Sequence, residues 1–168
     1  MYPYNITSDY KKNININSIE GERVKNTNVF QDKRLLQLIE LIVCETKSLS
    51  EYFNNIYKNI SDTKNKELIK SIYLDIVKSR KYIEDIYFRA SNERVNYKND
   101  DNKKVIGNFV KDIENSIMYL YDYSRDIRSL YVLFDDCEIK DLIMEILSDI
   151  HGDMAILNFI YIKISNNK

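Results

Sequence analysis

Residues 71–91, SIYLDIVKSRKYIEDIYFRAS, carry Ile72, Ile76, Ser79, Ile83, Ile86 and Ala90 at alternating steps of four and three. An α-helix turns once in about 3.6 residues, so this spacing puts all six side chains on one stripe. With Ile69 added, the stripe is apolar everywhere except Ser79. A strand would need a period of two, which this stretch lacks. The same steps recur in Ile139, Ile143, Ile146, Ile150, Asp153, Leu157, Ile160 and Ile164, where Asp153 is the polar member. Further upstream, Leu35, Leu38, Ile42, Glu45, Leu49, Tyr52 and Ile56 form a stripe that only Glu45 interrupts. Ile106, Val110, Ile113, Ile117, Leu120, Ser124 and Ile127 form another, flanked by Glu114 and Tyr121.

Four such segments, at about 33–58, 64–91, 103–129 and 137–165, predict an all-α chain folded as a four-helix bundle over residues 34–165. The connections near 58–65 and 130–138 are short enough for antiparallel hairpins. The polar segment SNERVNYKNDDNKK (91–104) is longer, and fully extended it reaches roughly 46 Å. That is enough to cross the whole bundle and let helices two and three run parallel, the ferritin-like topology of two antiparallel hairpins joined by a long crossover loop. An up-down-up-down bundle with a loose middle loop is the competing arrangement. Residues 1–33 are polar, rich in Asn and without a helical period, and read as an N-terminal arm or tail. Tyr2, Tyr4, Tyr10, Ile14, Ile16 and Ile19 give that arm apolar groups with which to dock on the bundle or on another subunit.

Composition narrows the function classes. Among 168 residues, 25 basic side chains face 26 acidic ones and no basic block stands out, so no nucleic-acid surface is expected. No stretch approaches the ~18–20 apolar residues of a membrane span. The opening MYPYNITSDYKKNININ has no basic region followed by an apolar one. The expectation is a soluble, cytoplasmic protein. Cys44 lies within an apolar helical pattern and reads as a small buried thiol; with Cys137 it makes neither a disulfide framework nor a zinc motif. The single histidine, His151, sits one position off its seam with no nucleophile beside it, which suits a surface or interface residue. Most of the fourteen tyrosines fall at helical spacing, as expected for core-edge side chains with wet hydroxyls; the other reading is an aromatic surface for self-association.

A di-metal carboxylate centre in a bundle takes one Glu from each of two helices and Glu-x-x-His from each of the other two, because an i, i+3 spacing puts both ligands on one face. Here CETKSLSEYFNNIY (44–57) and IENSIMYLYDYS (113–124) each set a Glu seven residues before a Tyr, Glu45 with Tyr52 and Glu114 with Tyr121. The two hairpins look like copies of one another. With SIYLDIVKSRKYIEDIYFRAS and EILSDIHGDMAILNFIYIK (145–163), these segments make residues 35–164 resemble the ferritin-like, rubrerythrin-type proteins of spore-forming clostridia. In that family the last two segments read approximately Asp-Glu-x-x-His. Asp75 and Asp149 match the leading Asp, but Ile76 and Ile150 stand at the Glu positions, and Ser79 and Asp153 at the His positions. Glu45 and Glu114 match the single carboxylates.

The resemblance therefore implies the fold with a degenerate di-metal site, and does not carry over iron oxidation, peroxide reduction or iron storage. Three expectations follow for the acidic residues. Glu45 and Glu114 persist as a buried polar pair, sharing a proton or bonded to Tyr52, Tyr121 or Ser79. Alternatively Glu45, Glu114 and Asp153 converge on one hard cation, with Ser79 or water completing the shell. Or helix rotation carries one or more of them to the rim. The leading expectation for function is a non-catalytic structural or protein-interaction bundle without a cofactor, a homodimer, with a role in sporulation or the spore coat implied by the resemblance alone. The rival is an iron- or manganese-binding oxidoreductase or storage protein using a remodelled carboxylate site.

Overall fold

The structure, a computed structural model, describes residues 33–97 and 103–166; the N-terminal arm lies outside the described residues but for Lys33. Four helices follow one another: α1 (Lys33–Asn59), α2 (Thr63–Ser91), α3 (Phe109–Leu133) and α4 (Cys137–Ser165). Their starts are written in side chains that offer an acceptor to the first free N–H groups. Asp62 accepts from Asn65 N at 2.7 Å, Asn108 from Lys111 N at 3.3 Å, and Asp136 from Ile139 N at 3.0 Å. Helix α2 ends at Asn92, whose left-handed φ of 57° lets its N–H turn back to the Phe88 carbonyl.

Helices α2 and α4 bury the stripes their sequences mark, and α1 does so apart from Glu45. Every seam residue of α2 from Ile69 to Ala90 is buried, as is every seam residue of α4 from Ile139 to Ile160. Fully buried Ile, Leu or Phe side chains each contribute roughly 1.5–3 kcal/mol. Repeated along four helices, that term holds the bundle closed. None of the helices among the described residues is long and apolar enough to cross a membrane.

Side-chain pairs fix the topology. Between α1 and α3, Tyr52 reaches Asp112 while Thr46 reaches Tyr123, so the two helices run antiparallel. Between α2 and α4, Asn65 meets Lys163, Lys78 meets Glu145 and Arg89 meets Glu138, again antiparallel. Between α3 and α4, Glu114 meets Tyr161 and Arg128 meets His151. Helices α2 and α3 both oppose α4 and are therefore parallel to each other. The segment joining them must travel the length of the bundle, which is the crossover arrangement. Its described parts lie on the bundle's side: Tyr97 donates to Glu84 on α2 and lies under Lys47 of α1, and Lys103 lies 3.6 Å from Glu45 and over the Tyr119 ring.

Helix α3 differs from the expected 103–129. It starts at Phe109, because Gly107 adopts φ +81° and Asp112 folds its carboxylate back onto Ile106 N (2.8 Å) and Gly107 N (3.1 Å). The crossover is thereby tied down, and Ile106, expected on the seam, is 61% exposed. The inward stripe of α3 also runs through Ser116 and Tyr123, both fully buried, and leaves Tyr121 56% exposed.

Candidate functional site

The middle of the bundle holds a polar layer to which every helix contributes. Thr46 (α1), Ser79 (α2), Tyr123 (α3) and Asp153 (α4) are all buried there. The Thr46 hydroxyl bonds to the Ile42 carbonyl at 2.6 Å and to the Tyr123 hydroxyl at 3.2 Å. Burial pushes the Tyr123 hydroxyl far above the ordinary phenol range; bonds to Thr46 and Ser79 oppose that shift, and the Glu45 carboxylate reinforces it. Tyr123 thus keeps its proton. One step toward the end of α1, the Tyr52 hydroxyl donates to the Asp112 carbonyl at 3.0 Å, which also accepts from Ser116 at 2.6 Å. Burial and the nearby Asp112 charge hold Tyr52 protonated as well.

Between α2 and α4 the layer becomes ionisable. Asp153 is 2% exposed and faces Asp75, Asp149 and Lys78. Desolvation, reinforced by the two neighbouring carboxylates and only partly offset by Lys78, pushes its carboxyl up to about 8. Asp75 is raised for the same reasons, desolvation first and then Asp149. Lys78 is anchored at the edge of this cluster, 2.6 Å from Asp149 Oδ2 and 3.3 Å from Glu145 Oε1, and the Tyr82 hydroxyl donates to the same Glu145 oxygen at 3.2 Å. Lysine 78 therefore serves Asp149 and Glu145 first. At neutral pH Asp153 carries a proton and is a neutral polar group.

The three carboxylates singled out from sequence are placed apart in character. Asp153 is in the core. Glu45 is half-buried on the side of α1, under the crossover, with Lys103 at 3.6 Å. Glu114 is exposed on the outer α3–α4 seam, where the Tyr161 hydroxyl donates to it at 3.0 Å. Glu45 and Glu114 are therefore not a buried pair. The physical reason is the register of α3: with Ile113, Ser116, Leu120 and Tyr123 facing inward, position 114 points out. Among the described residues no three His, Cys, Asp or Glu side chains converge as a metal-ligating group. A di-metal centre needs several carboxylates and imidazoles around one dry space. The buried residues at the layer supply hydroxyls, two isoleucines (Ile76 and Ile150) and the protonated carboxyl of Asp153; Asp75 and Asp149 beside it are half-buried, Asp149 is held by Lys78, and the set contains no imidazole, so it does not fit such a centre.

Sequence reasoning missed Thr46 and Tyr123, the hydrogen-bonded centre of the layer. Both lay within reach of periodicity, since Thr46 is four residues after Ile42 and Tyr123 lies between Leu120 and Ile127 on the α3 stripe. The apparent repeat of Glu45–Tyr52 in Glu114–Tyr121 drew attention to the wrong face. His151 is exposed, with Arg128 Nη2 at 3.2 Å, and Cys44 is buried. A cleft at the far end of the bundle, bordered by Ile56, Asp62, Asn65, Gly107, Phe109 and Asp112, exists where the crossover lands. Its Asp112 carboxylate is already spent on the two loop N–H groups.

No protein-family model matches this sequence, and no curated protein does. Among solved structures, the chain is similar to a two-domain protein of Anabaena variabilis that contains DJ-1/ThiJ/PfpI-like and ferritin-like domains. The superposition has a TM-score of 0.66 at 16% sequence identity and covers 80% of this chain and 38% of that one, so this chain spans well under half the length of its structural neighbour. At that identity the likeness speaks to fold alone. With the crossover topology it makes the protein an all-α, ferritin-like four-helix bundle.

Proposed function

We propose that this chain is a non-catalytic ferritin-like bundle that works as a structural or protein-interaction module. The observation that carries the reading is the mid-bundle layer. Where the fold's di-metal enzymes gather carboxylates and imidazoles, this chain has Thr46, Ser79, Tyr123 and a protonated Asp153 between Ile76 and Ile150. Hydroxyls that hold their protons and a neutral carboxyl fix the register of four helices, and they present neither a nucleophile nor a base. The resemblance of residues 35–164 to clostridial rubrerythrin-type proteins supports descent from a di-metal ancestor and a role in sporulation or the spore coat.

The test is elemental analysis and turnover on the full chain. Protein loaded with Fe²⁺ or Mn²⁺ and then desalted should retain well under one metal per chain, and should consume neither O₂ nor peroxide faster than the free ion does. Two metals per chain with ferroxidase or peroxidase turnover overturns the proposal in favour of an iron or manganese enzyme. One metal per chain, lost in Glu45→Gln, overturns it in favour of a reduced acidic site.

A further inference from the structure

Helix α4 turns one stripe directly away from the core: Met144, Ser148, His151, Ala155, Phe159 and Ile162, at steps of four, three, four, four and three. All six are exposed, the large apolar Met144, Phe159 and Ile162 by 50, 61 and 59%. No charged side chain of α4 itself interrupts this face between Glu145 and Lys163; from α3, Arg128 reaches its edge at His151. The two acidic residues in that span, Asp149 and Asp153, are turned to Lys78 and into the core. A helix face that remains in water normally carries charge, as the outer stripe of α2 does with Glu67, Lys70, Lys81 and Asp85. A long uncharged face with exposed aromatic and aliphatic groups marks an interaction surface.

Gly152, beside this stripe, is a second sign. Glycine in the interior of a 29-residue helix weakens it relative to alanine. A Cβ at Gly152 would meet nothing within 4 Å in its own chain, so the bundle itself gives no reason for the residue. Close approach of another backbone does.

We propose that a second copy of this chain covers the face, α4 packing antiparallel on α4 about a two-fold axis level with Asp153 and Met154. A two-fold contact joins a patch to itself and must be self-complementary. The register follows from the axis. Gly152 opposes Ala155 of the second copy, so small side chains meet at the crossing; Ser148 opposes Phe159, and Met144 opposes Ile162, so large groups close the ends. On the flank toward α2 the same register sets Glu145 against Lys163 of the second copy, an opposite-charge contact made twice per dimer. Within each chain Glu145 already meets Lys78 and Lys163 meets Asn65, and this register adds the contact between copies, which a shifted register would not make. A helix of this length offers about 43 Å of contact. The inference names the partner of the interaction module proposed above and rests on that reading.

The test combines sedimentation velocity on the full chain with a benzoyl-phenylalanine photocrosslinker placed at Ala155. A dimer is expected, with crosslinks landing near residues 151–152 in α4 of the other chain. Phe159→Glu should raise the dissociation constant about 30-fold or more while far-UV circular dichroism and melting at high dilution stay unchanged. Lys163→Glu should weaken association, and Glu145→Lys added to it should restore association. A chain that stays monomeric, a dimer indifferent to Phe159→Glu, or crosslinks from position 155 to residues 1–32 of the same chain would each overturn the proposal. The metal analysis separates the two readings: a metal-loaded dimer with these crosslinks sinks the functional reading and keeps the dimer, and a metal-free monomer does the reverse.

Discussion

Helices α2 and α4 are both 29 residues long and bury nearly superimposable seams, yet they differ at their one polar inner position and along the whole outer face. Inside, Ile69, Ile72, Ile76, Ser79, Ile83 and Ile86 of α2 correspond to Ile143, Ile146, Ile150, Asp153, Leu157 and Ile160 of α4. Both helices are packed by the same repeated isoleucine, and each spends one polar residue at mid-bundle. That residue is a small hydroxyl in α2 and a titratable carboxyl in α4. Outside, α2 alternates charge with Leu74 and Phe88, whereas α4 has no charge between Glu145 and Lys163. The seam thus accounts for the fold, and the departures from it mark where the two helices have separate tasks.

The equivalence of the seams is the first thing to break. Ile76→Ala and Ile150→Ala each remove a fully buried side chain next to the polar layer, and each should cost about 2–5 kcal/mol in urea unfolding. Equal losses support equivalent seams. A clearly smaller loss at Ile150 would show that α4 packs more loosely than its burial implies.

The inner difference is sharpened by pH. Asp153 has its folded-state carboxyl raised to about 8 from the ordinary aspartate range. Between about pH 4 and pH 8 the folded chain therefore holds a proton that the unfolded chain has released, and stability falls as pH rises through that window. Asp75, also raised, acts with the same sign. Lys78 is raised too, but its own titration belongs to strongly alkaline solution, clear of this window. Urea midpoints should decline from pH 5 to pH 8, and Asp153→Asn should flatten most of that slope. Asp153→Leu should stabilise the bundle at pH 8 by about 1–3 kcal/mol, since an apolar side chain removes a desolvated acid from among its like-charged neighbours. Stability that is independent of pH in the unaltered chain would mean that Asp153 is hydrated and already ionised.

The same contrast explains what the sequence could and could not disclose. The seams of α2 and α4 were legible because every member from Ile69 to Ala90 and from Ile139 to Ile160 is a core residue, and periodicity detects burial on one face. The crossover was legible as a length: the polar stretch after Ser91 is long enough to span the bundle. Helix α3 was harder. Its tyrosines at 119, 121 and 123 give nearly equal periodic fits, and tertiary packing selects Tyr123 by offering Thr46 as a hydrogen-bond partner. Its start was hidden because Gly107 and the Asp112 cap stop the helix by local hydrogen bonding, which apolar spacing does not register. The expected site residues shared that fate. Position 153 follows from its own seam, whereas position 114 depends on the rotation of α3 relative to α1.

The outer difference yields the smallest effect, and its sign carries the information. Gly152→Ala adds a methyl group that touches nothing in its own chain and removes the entropic penalty of a helix-interior glycine. In a monomer it should raise stability by about 0.5–1 kcal/mol, read from thermal melts at high dilution. If α4 crosses a second α4 there, the same methyl group must hold the two backbones apart, and the dissociation constant measured by sedimentation should rise. Opposite movement of monomer stability and association is what a glycine kept for an intermolecular contact predicts. Stabilisation with association unchanged would make Gly152 a neutral surface residue and would reduce the outer contrast between α4 and α2 to composition alone.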